Sequence, residues 1–496
     1  DGRGVIVLLP EIALTPQSVS IFSARYGERV AVIHSGLSAG ERYDAYCRIR
    51  DGRADVVIGT RSAVFSPVKN LGAIIIDEEQ EHTYKSDQNP KYHTRDIARF
   101  RCAHNKALML LSSATPSLES YQKAKEGTYT LITLKHRFGS AKLPKVKIAD
   151  MRGEVQGGSL SPLGEELMGE LCRVMSAREQ AVLFINRRGY NHFVSCRSCG
   201  EAVTCPSCSV AMTYHTRRGT WNEGDLVCHW CGRRMPLPKE CPNCHSEHLA
   251  RMGFGTQRVE EELQTLLPNS NILRMDTDTT STKFAYDELL GRFRAHEADV
   301  LLGTQMVTKG HDFPDVTLVG VLLADMSIYM DDYHANERTV SMLTQVIGRA
   351  GRAQKRGVAV IQTANPDNDT IKLACRQDYE AFYEEEIAYR RLMGYPPTEQ
   401  LLAVLLTGED EQLLETAATY LKVYAERVGK GQVQLIGPAS PYVGKVNNVY
   451  RRVIYVKHAK YEVLIGMKDK LEQYIEMNSG FSKLRIQFDF NPMHVF

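Results

Sequence analysis

The sequence predicts an α/β protein: two lobes built on parallel sheets, a Cys-rich module inserted in the second lobe, and an α+β carboxyl-terminal domain of ferredoxin-like order. Three observations predict it. Short aliphatic runs alternate with helical stretches from residue 5 to about 135, and again from 162 to about 363, the pattern of strands buried in a sheet wrapped by helices. Four CxxC pairs, Cys196/Cys199, Cys205/Cys208, Cys228/Cys231 and Cys241/Cys244, interrupt the second of these regions. The final stretch reads strand, helix, strand, strand, helix, strand, which is the ferredoxin-like order.

The first lobe takes its strands from GVIVLLP, VAVIHS, DVVIGT, LGAIIIDEE and ALMLLSSATPS. A Gly/Pro-marked junction follows at 138–146. The second lobe opens with a helix over 162–177 and the strand AVLFINRRGY at 181–190. Past the cysteines it resumes with helix 256–267, strand NILRMD, helix 283–295, strands DVLLGT and VTLVGVLLAD, helix 336–348 and strand GVAVIQT. A helical stretch at 368–392 and the break MGYPP lead into strand 400–407, helix 410–427, strands 432–436 and 449–457, helix 461–477 and strand 483–489. The expected boundaries are 1–140 for the first lobe, 141–194 with 246–390 for the second, 195–245 for the Cys-rich module and 391–496 for the last domain.

Length and composition bound the function. At 496 residues the chain exceeds one core, and 43% hydrophobic with 24% charged residues is ordinary globular composition. The longest apolar stretches, such as VTLVGVLLA, are about half a membrane span, so no membrane association is expected. Eight of the 12 cysteines fall in the cluster, and CxxC pairs without an export signal read as metal ligands of a reducing cytoplasm. The formal charge of +2 drops to about −2 once two Zn(Cys)4 sites, each about −2, are counted. Nucleic-acid contacts must therefore rest on local basic clusters.

Thiolates at i and i+3 on a tight turn grip one Zn²⁺ when a second pair completes the tetrahedron. Eight cysteines suit two closed, structural sites. The 19 residues between Cys208 and Cys228 match ribbon spacing and favour the second pair with the third, leaving Cys196/Cys199 with Cys241/Cys244. Sequential pairing stays open, because turns of 5 or 9 residues also close a site. His215, His229 and His245 are expected at the surface or behind the ligands.

In IIIDEEQEH a buried strand ends in Asp77-Glu78, placing two carboxylates at the carboxyl edge of the sheet, where open α/β folds bind ligands. Asp77 can hold Mg²⁺ through water while Glu78 orients the water that attacks ATP. Alone, such a strand end is equally a solvated one. In QVIGRAGR, Arg349 and Arg352 share a helix face if the helix continues, and an Arg there stabilises transition-state charge. Thr60, Arg61 and Ser62 in the first lobe, with Thr304, Gln305 and Lys309 in the second, offer donors suited to a nucleic-acid backbone crossing both lobes. Tyr84, Lys85 and Tyr92, after the DE pair, combine stacking surface with charge; the bland alternative is a tyrosine-rich surface loop. Lys445, Arg451 and Arg452 lie beside Tyr442 and Tyr450, a DNA-contact pattern in the last domain.

DEEQ, SSATPS, GTQMVTKGHDFPDV, QVIGRAGR, GFGTQRVEEEL, GPASPYVGKVNNVYRRVIYVKH and the eight-cysteine insertion together resemble the primosomal replication-restart helicase family (primosomal protein N′, PriA) of superfamily 2. The resemblance covers essentially the whole chain. It implies two RecA-like lobes, ATP and Mg²⁺ as cofactors, two structural zinc ions in nested pairing, and Gln345, Gly310 and Asp312 beside the nucleotide. It further implies an ATP-dependent 3′-to-5′ DNA helicase that recognises abandoned forks and initiates primosome assembly. The implied partners are single-stranded and forked DNA, single-stranded-DNA-binding protein, and primosome and helicase-loader proteins, in the nucleoid of the cytoplasm. The family's phosphate-binding loop, GxxxxGK[ST], is not among these 496 residues and is expected upstream of Asp1 with the amino-terminal DNA-binding domain. On that expectation the chain by itself is an ATPase-deficient fragment that binds DNA and partners.

Overall fold

A computed structural model of the chain describes residues 2–10, 16–134, 143–152, 161–185, 193–196, 199, 203–208, 210–216, 224–228, 231–247, 249–252, 256–276, 279, 285–304, 313–328, 332–351 and 356–493. The first lobe carries β1 (Gly4–Leu8), β2 (Val30–Ile33), β3 (Val56–Gly59), β4 (Leu71–Asp77) and β5 (Leu108–Ser112). They pair in parallel in the order β2-β3-β1-β4-β5. Both faces carry apolar residues, which is why the strands read as unbroken aliphatic runs, although Leu108 and Leu110 of β5 are exposed. Ile6, Leu8, Val57, Ile74 and Ile76 pack on one side, and Val7, Val30, Val56 and Ile58 on the other. Helix Ala39–Arg50 starts where Ser38 and Glu41 form a reciprocal capping box.

The second lobe begins with β6 (Lys145–Asp150) and β7 (Gln180–Ile185). The chain then leaves the sheet for five short antiparallel strands, β8 (Phe193–Cys196), β9 (Thr213–Thr216), β10 (Gly224–Val227), β11 (Arg234–Pro236) and β12 (Leu249–Met252). It returns as β13 (Ile272–Met275), β14 (Val300–Gly303), β15 (Val316–Leu322) and β16 (Val358–Thr363). The large sheet is parallel, ordered β13-β14-β7-β15-β16-β6. In β7, Val182 and Phe184 enter one core while Ala181, Leu183 and Ile185 enter the other.

Two elements differ from the sequence expectation. β6 occupies a segment read as the end of a junction, because an edge strand alternating Lys145 and Lys147 with apolar residues carries little hydrophobic signal. The single helical stretch 368–392 is two helices, Asp369–Arg376 and Tyr379–Met393. Gln377, at φ 54°, ends the first, and the Asp378 side chain accepts from Ala381 N to start the second.

The carboxyl-terminal domain has β17 (Gln400–Gly408), β18 (Gln434–Ala439), β19 (Lys445–Val446), β20 (Val449–His458) and β21 (Arg485–Phe490). The antiparallel order β18-β20-β17-β21, with β19 on β20, is the ferredoxin-like arrangement expected. Helices Glu411–Gly429 and Tyr461–Met477 supply Leu414, Leu421, Leu464 and Leu471 to a core with Leu402, Val404, Leu406 and Ile454. No helix among the described residues is long and apolar enough to cross a membrane.

This domain is clamped to both lobes. Asp489 of β21, buried, pairs with Lys85 at 2.9 Å and Lys91 at 3.3 Å from the first lobe. Tyr333 of the second lobe donates to Pro492 O at 2.8 Å. Removing a carboxylate from two enclosed ammonium groups strands their charge. Asp489→Ala is therefore expected to destabilise the protein by about 3–5 kcal/mol, read as a lowered midpoint in urea unfolding with an unchanged slope.

Candidate functional site

The strand β4 ends at Asp77 and the chain turns at once, with Glu78 in the left-handed region at φ 48°. That turn divides the DEEQ side chains. Glu79 goes inward, where it is 3% exposed and accepts from Ser117 N at 2.6 Å, Ser120 Oγ at 2.9 Å, Ser117 Oγ at 3.1 Å and Arg95 at 3.1 Å. A buried carboxylate is tolerable only with donors of this number and charge. Asp77 and Glu78 stay partly exposed at the carboxyl edge of the sheet.

Glu78 is held from two sides. Gln80 Nε2 donates to Glu78 Oε2 at 2.7 Å, and Gln345 Nε2 of the second lobe donates to the same oxygen at 3.1 Å. Gln80 Oε1 in turn accepts from Ser113 Oγ at 2.5 Å. The segment after β5 also crosses the cleft. Thr115 Oγ1 bonds Ser341 Oγ at 3.0 Å, and Leu118 N donates to Glu337 Oε1 at 3.1 Å. Ser341, Glu337 and Gln345 all lie on helix Ala335–Ile347, so one helix links the DE turn to the SAT segment. Burial opposes ionisation of Glu119 beside this junction, but Arg95, His334 and Arg390 outweigh it and hold its carboxyl below the usual range. Burial and the neighbouring Glu119 push Glu337 up.

Arg349 needs a correction of geometry. The helix stops at Ile347 and Gly348 caps it, so Arg349 lies in a turn, with its N–H donating to Val346 O at 3.0 Å. It does not continue a helix face toward position 352. Arg352 lies outside the described residues, as do Gln305, Lys309, Gly310 and Asp312. Sequence reading missed the two amides, Gln80 and Gln345, as partners of one carboxylate oxygen. DEEQ contains the first, but only the fold brings the second within reach.

The polar residues proposed for a nucleic-acid backbone divide by exposure. Ser62 is exposed and Thr304 partly so, whereas Thr60 is 5% exposed at the end of β3. Arg61 donates to Thr83 O at 3.1 Å and Lys85 O at 2.6 Å, fixing the loop after the DE turn. Tyr92 meets the exposed Phe65 edge-on, with centroids 5.0 Å apart.

Tyr84 and Lys85 are not the surface pair that the sequence suggested. Tyr84 is 1% exposed and donates to Asp77 O at 2.8 Å and Leu8 O at 3.0 Å. Burial, with Asp77 and Glu81 nearby, raises its phenol well above the usual value. It buttresses the strand that carries Asp77 and has no face for a base. Lys85 donates to Phe490 O at 2.7 Å besides its pairing with Asp489, so its charge is satisfied inside the protein.

In the last domain Lys445 lies 4.8 Å from the Tyr450 ring centroid, and Tyr442 is 83% exposed. Arg451 donates to Val443 O at 3.2 Å. Arg452 is bound by Glu415 at 2.5 Å and Glu411 at 3.1 Å. Two carboxylates neutralise it, which corrects its reading as a free phosphate ligand in this arrangement.

The cysteines form two tetrads, Cys196/Cys199/Cys241/Cys244 and Cys205/Cys208/Cys228/Cys231, each with its sulfurs within 4.8 Å of one another. Sγ–Sγ separations of 3.5 Å for Cys196–Cys244, 3.7 Å for Cys199–Cys241 and 3.8 Å for Cys205–Cys231 suit a tetrahedron. Zn–S bonds of about 2.3 Å place ligand sulfurs about 3.8 Å apart. The nested pairing is therefore the one the fold makes, because β8 and β12 run side by side and bring the first and fourth pairs together. Four thiolates leave no open coordination position, so these are structural sites. His245, 81% exposed at its side chain, is not a ligand. His229 and the His215 side chain lie outside the described residues.

Four family models match: DEAD/DEAH box helicase over residues 1–124, Helicase conserved C-terminal domain over 252–354, PriA DNA helicase Cys-rich region domain over 205–236, and Primosomal protein N C-terminal domain over 391–493. Replication restart protein PriA of Bacillus subtilis is 44% identical over 99% of this chain and 60% of its own length. That of Synechocystis is 39% identical over 100% of this chain and 59% of its own, and that of Treponema pallidum 35% over 100% and 73%. The chain thus spans about three fifths of the first two relatives. The structure of RecG bound to a three-way DNA junction overlaps 78% of this chain and 40% of its own at TM-score 0.42 with 16% identity, too loose an overlap to add to the family matches.

Elemental analysis is expected to find two zinc ions per chain, and Cys205→Ser to leave one. A single ion in the unaltered protein, or iron-sulfur absorbance, contradicts the ligand sets.

Proposed function

Because this chain belongs to the replication restart protein PriA family, we propose that it supplies the motor lobes, zinc module and carboxyl-terminal domain of an ATP-dependent 3′-to-5′ DNA helicase that acts on abandoned forks and initiates primosome assembly. The observation that carries this reading is Glu78, gripped at one oxygen by Gln80 from its own lobe and by Gln345 from the other. A carboxylate set this way responds to closure of the cleft, which is what coupling ATP turnover to movement on DNA requires.

In this reading Asp77 would hold Mg²⁺, which would supply positive charge at the phosphates, and Glu78 orients the attacking water. Arg349 and Arg352 stabilise charge on the transferred phosphoryl group. Gln345, Gly310 and Asp312 line the second-lobe side of the cleft. Single-stranded DNA crosses Ser62 in the first lobe and then Thr304 and Lys309 in the second, with Tyr92 as a stacking surface, whereas Thr60 is buried and Arg61 holds the loop through Thr83 O and Lys85 O. The partners are forked DNA, single-stranded-DNA-binding protein, and primosome and helicase-loader proteins, all at the nucleoid in the cytoplasm.

The activity is tested on the full-length protein, since GxxxxGK[ST] is not among these residues. Glu78→Gln is expected to lower DNA-stimulated ATP hydrolysis by about 10²-fold or more while nucleotide binding survives. Gln345→Ala should lower kcat with little change in KM for ATP, as expected of a group that positions rather than binds. Wild-type turnover in Glu78→Gln overturns the assignment.

The carboxyl-terminal residues are separated by salt dependence. Lys445→Ala should weaken fork binding and reduce the slope of log affinity against log salt by about 1. Arg452→Ala should leave that slope unchanged, because Glu411 and Glu415 already hold its charge.

A further inference from the structure

The β19–β20 hairpin reaches out of the carboxyl-terminal sheet and lands on the zinc module. Its register, Lys445↔Tyr450 and Val446↔Val449, leaves a two-residue turn, Asn447-Asn448. Both residues lie in the left-handed region, at φ 49° and 63°, as a tight hairpin turn demands and asparagine tolerates. Asn447 N donates to Cys208 Sγ at 3.1 Å, and Asn448 N to Ser207 O at 2.9 Å. Val446 packs on the module's own small core, which includes Val194, Met212 and Leu226.

The two tetrads consequently differ in setting. Cys208 is fully enclosed and Cys205 and Cys228 are buried, whereas Cys199 and Cys244 of the other set are exposed. An N–H donated to a metal-bound thiolate is charge-assisted and about twice as strong as a neutral bond. The same N–H facing a neutral thiol gains little, because that sulfur is a weak acceptor.

We propose that the Cys205/Cys208/Cys228/Cys231 centre is the docking seat of hairpin 445–450, so that metal occupancy there and attachment of the carboxyl-terminal domain to the zinc module reinforce one another. The other tetrad takes no part. Reciprocity follows from linkage: the hairpin binds the metal-loaded seat more tightly, and the seated hairpin retains the metal. This device concerns how two domains are held and is independent of whether the lobes turn over ATP.

The test uses the zinc-loaded protein and a chromogenic chelator that reports release of each ion. Two phases are expected, the fast one from the exposed tetrad. Val446→Asp should accelerate the slow phase by about tenfold, within the range of ordinary coupling, and leave the fast phase alone. Asn447→Gly keeps the turn and its N–H and should retain the slow phase. Equal acceleration of both phases, or none, overturns the proposal. A second readout needs no variant: on metal removal, amide hydrogen exchange should rise across 445–450 while β17 and β21 stay protected. An unchanged hairpin overturns the proposal as well.

Discussion

A carboxylate that leaves water must find its donors inside the protein, and Glu79 sets that constraint for the first lobe. Two hydroxyls, a backbone N–H and the Arg95 guanidinium converge on it. They come from the segment after β5 and from helix Thr94–Asn105. Satisfying this one buried charge fixes the DE turn, the SAT segment and the loop between them as a single piece. The left-handed Glu78 follows directly. With its neighbour committed inward, the chain must reverse to present Asp77 and Glu78 outward.

One chain of contacts between the lobes is attached to that piece, beside others such as Lys125 with Glu380 and Tyr121 with Tyr383. Gln80 and Ser113 tie the turn to the SAT segment, Thr115 and Leu118 tie that segment to helix Ala335–Ile347, and Gln345 from the same helix returns to Glu78. A displacement of the helix must therefore reach Glu78. Tyr84 and Lys85 extend the same framework. One braces β4 from beneath, and the other carries the loop to β21 of the last domain.

The zinc module has too small a core to hold its shape by hydrophobic burial, and metal thiolates supply the missing constraint. Its attachments matter equally. The module is anchored at one end by its insertion between β7 and β13, and it meets the hairpin of a domain some two hundred residues further on. The carboxyl-terminal domain thus touches the first lobe through Asp489, the second through Pro492 and the zinc module through Asn447.

Sequence alone determined the layers. Period and aliphatic run length gave the parallel strands, because strands covered on both faces need no polar residues. Spacing of the CxxC pairs gave the metal centres, and the DEEQ, SAT and QVIGRAGR motifs pointed to the junction where Glu78, Ser113, Thr115 and Gln345 meet, because those motifs are local. Whether the zinc pairs nest was left open by spacing and decided by β8 lying against β12. Tyr84, Lys85 and Arg452 looked like nucleic-acid ligands because charge and aromaticity are visible in a sequence while their partners are not. Those partners, Leu8, Asp489, Glu411 and Glu415, stand tens to hundreds of residues away. Only tertiary structure brings a counter-charge or carbonyl to such a side chain and so decides whether it faces solvent or the protein's own framework.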